Sequence, residues 1–149
     1  PGVSNGGFES QFTGWTRAGT TSSITTPASA IHGGARSVAL GSTTARTNGD
    51  SSVSQTFVAG SSTLSFWYLN RCGETVSVDW TTATLTDNST VPAATTTPLA
   101  RTCTNSGAWV QVTAPVVPGH SYTLKLVSHD NNLTGTGKNT YTYVDDVVA

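Results

Sequence analysis

Charge is what this sequence has least of. Asp, Glu, Lys and Arg make up 10% of its 149 residues, against about a quarter in an ordinary soluble domain. The seven basic residues are scattered, and the net charge is −1. No electrostatic footprint for nucleic acid or anionic lipid exists, so neither is expected as a partner. No apolar run approaches the roughly 18 residues of a membrane-spanning helix. Helical periodicity, internal repeats and interdomain linkers are missing too, and 1–149 reads as a single domain long enough to bury a core. The chain opens at Pro1-Gly2 without a signal-like segment, so a mature fragment or excised module is the expectation.

Catalytic signatures are equally scarce. No Gly-x-Ser-x-Gly elbow accompanies the many serines. The acids fall mostly in turns and give no convincing pair for glycoside hydrolysis. No His and Cys stand at metal-ligand spacing. An enzyme is not expected.

Only two cysteines occur, Cys72 and Cys103, each beside a turn signal. A soft-metal site would need more ligands, and a thiol nucleophile would not need the second. A disulfide is favoured over two separate buried thiols, and with it a secreted, extracellular setting. In the chain-entropy account such a crosslink stabilises by roughly 3–4 kcal/mol.

What is abundant is Ser and Thr, 46 together, giving a hydroxyl-rich rather than ionic surface. Repeated short alternations of apolar and polar residues argue for strands and against disorder. Candidate strands lie near 12–17, 22–26, 36–40, 53–57, 64–69, 75–86, 99–102, 109–113, 122–129 and 141–148, punctuated by Gly, Pro and Asn. The stretches 41–50 and 88–97 read as polar connectors. Nine or ten strands at regular spacing point to an all-β, antiparallel β-sandwich or jelly roll of two sheets.

Two stretches at opposite ends organise the rest. Tyr141-Thr-Tyr-Val-Asp-Asp-Val-Val-Ala149 is an apolar strand interrupted by Asp145 and Asp146, and Asn5-Gly-Gly-Phe-Glu9 is a turn ending in an aromatic and an acid. A carboxylate within a buried strand is costly unless something pairs with it, and a hard cation is a fitting partner in so uncharged a chain. The ends are therefore expected side by side.

Asn5-Gly-Gly-Phe-Glu9, Gly14-Trp15, His32-Gly-Gly-Ala-Arg-Ser-Val-Ala-Leu40, Ser54-Gln-Thr-Phe57, Thr63-Leu-Ser-Phe-Trp-Tyr68, Trp109-Val-Gln-Val112 and Val144-Asp-Asp-Val147 follow one another in a familiar order. In this the chain resembles the jelly-roll carbohydrate-binding modules of secreted bacterial, actinobacterial-type hydrolases, over roughly residues 3 to 149. The resemblance implies a structural calcium ion held by Glu9, Asp145 and carbonyls near Gly34 and Arg36, with Asn5 as a further ligand. Such an ion takes six to eight oxygens. The alternative is that Glu9 and Asp145 cap turns by hydrogen bonds. A second ion near Asp130, with Asp50 or Asp79, competes with a plain Asn-rich turn.

Strand parity selects the aromatics available for a sugar ring. With Phe66 inward, Trp67 faces out. Val76, Val78 and Trp80 would share the apolar face, leaving Asp79 outward, unless a bulge near Thr81 swings Trp80 out. Leu124 and Leu126 inward leave Lys125 and His129 outward. Trp67, Asp79, Trp80, His129 and Asp130 are the expected ligand-binding set, although Trp67 could instead pack beneath a loop and His129 could form a turn pair with Asp130. The resemblance makes Trp15 and Trp109 core aromatics; His32 and His120 read as turn residues.

The expected function is a non-catalytic module that binds polysaccharide or oligosaccharide and targets an attached catalytic domain, acting as a monomer within a larger secreted protein. Two alternatives stand beside it: an accessory module of a secreted peptidase that binds protein, and a structural or adhesive surface domain.

Overall fold

A computed structural model describes residues 2–149. Ten strands follow in order: β1 Thr16–Gly19, β2 Ser22–Thr25, β3 Ser37–Leu40, β4 Asn48–Val58, β5 Thr63–Arg71, β6 Trp80–Asp87, β7 Ala94–Thr102, β8 Val110–Pro115, β9 Ser121–Asn131 and β10 Tyr141–Val148. Among the described residues the helical content is a single 3-10 turn, Ala28–Ala30. Two five-stranded sheets result, ordered β1-β4-β9-β6-β7 and β2-β3-β10-β5-β8, and every strand pairing is antiparallel. This is the jelly-roll sandwich expected from the strand spacing.

Alternation decides what each strand buries. In β5 the residues Leu64, Phe66 and Tyr68 are buried while Ser65 and Trp67 are half-buried. In β9 the same rhythm places Tyr122, Leu124 and Leu126 inside and Lys125 outside. These inward residues meet Phe8, Val38, Leu40, Val53 and Val144 in one core between the sheets. Each fully buried side chain of this size contributes about 1.5–3 kcal/mol. Trp15 joins the core as expected, stacked on Phe8 with ring centroids 5.0 Å apart.

Head and tail lie side by side. The N–H of Val147 donates to the Gly6 carbonyl at 3.0 Å, and Gly6 has no room for a side chain against Val147. β10 is the middle strand of its sheet, between β3 and β5. Its register against β5 shifts between Asp145, opposite Trp67, and Val148, opposite Ser65. One extra residue is thus accommodated, with Asp146 at φ 50°. The bulge lets Val147 return to the core while the two acids leave it.

Three sequence expectations need correction. Residues 75–78 form a turn rather than strand, because the N–H groups of Val78 and Asp79 both bond back to the Thr75 carbonyl, at 3.1 and 3.0 Å. β6 therefore starts at Trp80 with the opposite parity: Thr81, Ala83 and Leu85 are buried and Trp80 faces out. The connector 88–97 is partly strand, since β7 runs from Ala94. Trp109 is half-buried just before β8 and lies outside the core. The disulfide Cys72–Cys103 is formed, with Cα atoms 5.2 Å apart.

Candidate functional site

The outer face of the β2-β3-β10-β5-β8 sheet carries four half-buried aromatics, Trp67, Trp109, Tyr141 and Tyr143. Val144 and Thr142 point inward on β10, so Tyr141 and Tyr143 point out. Trp67 projects from β5, and Trp109 joins it from the approach to β8. The turn between β2 and β3 adds His32. Successive ring centroids are 5.4 Å apart from Tyr141 to Tyr143, 6.4 Å from Tyr143 to Trp109, 5.6 Å from Trp109 to His32 and 4.0 Å from His32 to Trp67. Arg71 ends β5 opposite Tyr141, and Gln111 stands opposite Trp67 on β8. Burial, and Tyr141 beside it, push the Tyr143 hydroxyl above its ordinary pKa; this phenol remains a neutral hydrogen-bonding group.

The rings differ in what they leave open. His32 lies nearly parallel to Trp67, 17° between planes, and covers one of its faces. Trp109 meets its neighbours edge-on or tilted, so it and Tyr143 offer the broader platform. An apolar ring surface flanked by Arg and Gln donors suits the apolar face and hydroxyl rim of a sugar.

The remaining expected ligand residues go elsewhere. Trp80 and His129 are on the outer face of the other sheet, directly opposite in register and stacked at 4.0 Å. The Arg101 guanidinium lies 3.8 Å from the Trp80 centroid. Two groups that close must occupy opposite faces of the indole, so neither face is left for a sugar. His129 Nδ1 is 2.7 Å from Asp50 Oδ1, so its partner is Asp50 and not Asp130. Asp79 and Asp130 are buried. Asp79 accepts from the Asn131 N–H at 2.8 Å and from the Thr140 hydroxyl at 2.5 Å. Asp130 accepts from the N–H groups of Thr47, Thr140 and Asn132, each at 3.0 Å. Both acids anchor the loop after β9, and neither can face a ligand. Trp67, Asp79 and His129 therefore do not share one face.

Glu9 and Asp145 come to one turn, each as an acceptor of hydrogen bonds. Asp145, fully buried, accepts at Oδ2 from the N–H groups of His32 and Gly33, both at 3.0 Å, and at Oδ1 from Asp146 N–H at 2.8 Å. Glu9 Oε1 accepts from the N–H groups of Ala35 and Arg36 at 2.9 and 3.1 Å. Asp145 Oδ1 and the Glu9 Cγ each lie 3.8 Å from where a Cβ would stand on Gly7, and Asp146 Oδ1 lies 3.6 Å from it. Both chain ends thus meet at the His32–Arg36 turn. Gly34 has no Cβ to obstruct Glu9. The turn meets the acids with the N–H groups of His32, Gly33, Ala35 and Arg36. Asn5 is committed to its own loop: its Oδ1 accepts from Ser10 N–H, and its Nδ2 donates to the carbonyls of Gln11 and Thr13.

Burial, with the Asp146 charge adding to it, pushes the Asp145 pKa upward against those N–H bonds. Among the described residues no three His, Cys, Asp or Glu side chains form a metal-binding group. The acids still fit a hard cation: a buried carboxylate lacks a cationic partner, and Asp146 Oδ1 and Glu9 Oε2 take no hydrogen bond among the described residues.

Sequence reasoning missed Trp109, Tyr141 and Tyr143 as surface aromatics. The signal was the alternation in Trp109-Val-Gln-Val112 and Tyr141-Thr-Tyr-Val144, in which burial of Val112 and Val144 sends the aromatics outward.

The fold is thereby that of a jelly-roll β-sandwich with an aromatic outer face. No protein-family model matches the chain, and no curated protein sequence does. Solved structures do. The module TmCBM61, in complex with β-1,4-galactotriose, is similar at TM-score 0.65 and 19% identity, over 97% of this chain and 94% of that one. The CBM22-1–GH10 modules of the N-terminal endo-1,4-β-D-xylanase 10B of Clostridium thermocellum, complexed with xylohexaose, match 95% of this chain and 27% of theirs, at TM-score 0.55 and 15% identity. The K3 cleaved adhesin domain of Lys-gingipain from Porphyromonas gingivalis matches 99% of this chain and 98% of its own, at TM-score 0.62 and 20% identity.

Proposed function

We propose that this protein is a non-catalytic polysaccharide-binding module that brings an attached secreted hydrolase to its substrate. The observation that carries this reading is the aromatic run Tyr141–Tyr143–Trp109, continued through His32 to Trp67, on one face of one sheet. The sugar-complexed modules that share the fold support it, as does the disulfide, which suits an extracellular setting. A structural calcium ion belongs to the same proposal: Glu9 and Asp145, with Asp146 beside them, would hold it, and it would neutralise acids gathered from both chain ends.

Affinity electrophoresis against xylan, galactan, glucan and mannan, with Trp109→Ala and Tyr143→Ala as controls, tests the reading. Retarded migration with at least one glycan, lost in the variants, is expected. Unretarded migration with all of them would favour the adhesive or protein-binding alternative, which the similarity to the gingipain adhesin domain supports.

A further inference from the structure

Next to Tyr141 the aromatic face drops into a cleft of about 230 Å³, lined by Arg71, Gly73, Asn105, Gly137, Asn139 and Tyr141. Two cations stand at it, Arg71 in its lining and Lys138 beside it. The Arg71 guanidinium lies along the backbone of Gly107, where a Cβ would come within 2.9 Å of Nη2, and Nη1 donates to the Asn105 carbonyl at 3.4 Å. Lys138, between the lining residues Gly137 and Asn139, donates from Nζ to the Gly73 carbonyl at 3.5 Å. Neither has a carboxylate partner: among the described residues the charge pairs are three His–Asp contacts.

Acids that could neutralise them are engaged elsewhere. Glu9, Asp145 and Asp146 gather at the His32–Arg36 turn, Asp50 faces out from the other sheet, and Asp79 and Asp130 are saturated inside. Glu74, next to Gly73, keeps its Oε2 buried without a hydrogen bond and pairs with neither cation. The walls are fixed. Buried Asn70 accepts from Thr104 N–H at 2.8 Å and donates to the Thr142 hydroxyl at 3.1 Å, and the disulfide secures the same segment. Asp79 and Asp130 hold Thr140 at the other wall. Cations fixed in place without counter-charge are prepared for an anion, and the planar guanidinium suits a carboxylate or sulfate through paired N–H donors.

We infer that this cleft seats the negatively charged substituent of an acidic glycan, a uronate carboxylate or a sulfate ester, while neighbouring sugar rings run onto Tyr141, Tyr143 and Trp109. The inference rests on the polysaccharide-binding reading and names its ligand class.

The test titrates the whole chain against polygalacturonate and its fully methyl-esterified form, and against a sulfated galactan and its desulfated form. One charged polymer should bind about tenfold or more tightly than its neutralised twin, the gain of charge-assisted hydrogen bonds, and the pair that shows it separates carboxylate from sulfate. Added salt and Lys138→Gln should each erase the difference while binding to the neutral form persists, which also shows that the variant folds. Arg71→Gln should erase the difference too, and should weaken binding of the neutral form as well because Arg71 borders the ring platform. Equal binding of charged and neutral forms overturns the acidic preference and leaves the polysaccharide reading standing. No binding to any glycan, neutral ones included, overturns both.

Discussion

The His32 imidazole lies over the Trp67 indole with 4.0 Å between ring centroids. The same imidazole has its Nδ1 2.7 Å from Asp146 Oδ2, and its backbone N–H donates to Asp145. One turn residue thus ties the acids where the chain ends meet to the aromatic face. His32→Ala is expected to cost about 1 kcal/mol for the lost ring contact and to increase acrylamide quenching of tryptophan fluorescence. Unchanged quenching would mean that His32 does not shield Trp67.

Trp109→Ala should weaken glycan binding about tenfold, or 1.4 kcal/mol, with little change in melting temperature, because the ring is only partly buried. Trp67→Ala should cost less affinity, since His32 already covers one face. Isothermal titration beside thermal melts separates the two effects; a large fall in melting temperature for Trp109→Ala would mark it as core after all.

Millimolar calcium should stabilise the fold, by about 2.7 kcal/mol at a hundredfold excess over Kd, and so raise the melting temperature, which chelator should lower. Asp145→Ala should abolish the response. Identical melts of the parent protein with calcium and with chelator would end the calcium proposal.

Asp79→Ala would leave the buried Thr140 hydroxyl and Asn131 N–H without their acceptor, at a cost of about 1–3 kcal/mol. Limited proteolysis should then cut within 132–139 sooner than in the parent. Equal cleavage rates would show that the loop is held by other means.

The hydrogen bond from His120 holds the Asp87 carboxyl below the ordinary aspartate range, with the Ser89 N–H and the His120 charge acting in the same direction. An acid whose folded pKa is depressed contributes stability that is present above its unfolded pKa, about 3.9, and is lost as pH falls through the folded value. Asp87→Asn should therefore flatten the acid limb of a melting-temperature profile below about pH 4 and leave neutral pH little changed. An unaltered acid limb would count against the pairing.

Several features were legible in the residues themselves. Alternation in 64–69 and 122–129 placed Phe66, Leu124 and Leu126 inside, and two cysteines beside turns gave the disulfide. The approach of the two chain ends, Gly6 against Val147, was legible as well. Alternation left Trp80 between two faces; the bonds of Val78 and Asp79 to Thr75 make a turn where the pattern reads as strand, and a one-residue change of parity exchanges the faces of every residue that follows. Asp79 and Asp130 were misread because a carboxylate beside polar residues looks the same in sequence whether it meets ligand or backbone N–H groups.

By itself, then, the sequence determined an all-β chain, its crosslink and which neighbours along each strand point opposite ways, since these depend on local chemistry and a period of two. Only the tertiary structure decided that Trp67 and His129 lie on different sheets, and that Trp109, Tyr141 and Tyr143 form one face with the cations Arg71 and Lys138 at its end. The reason is physical: sheet membership is set by hydrogen bonds between strands far apart in the chain, such as β5 with β10, and no local pattern records which distant strand will become a neighbour.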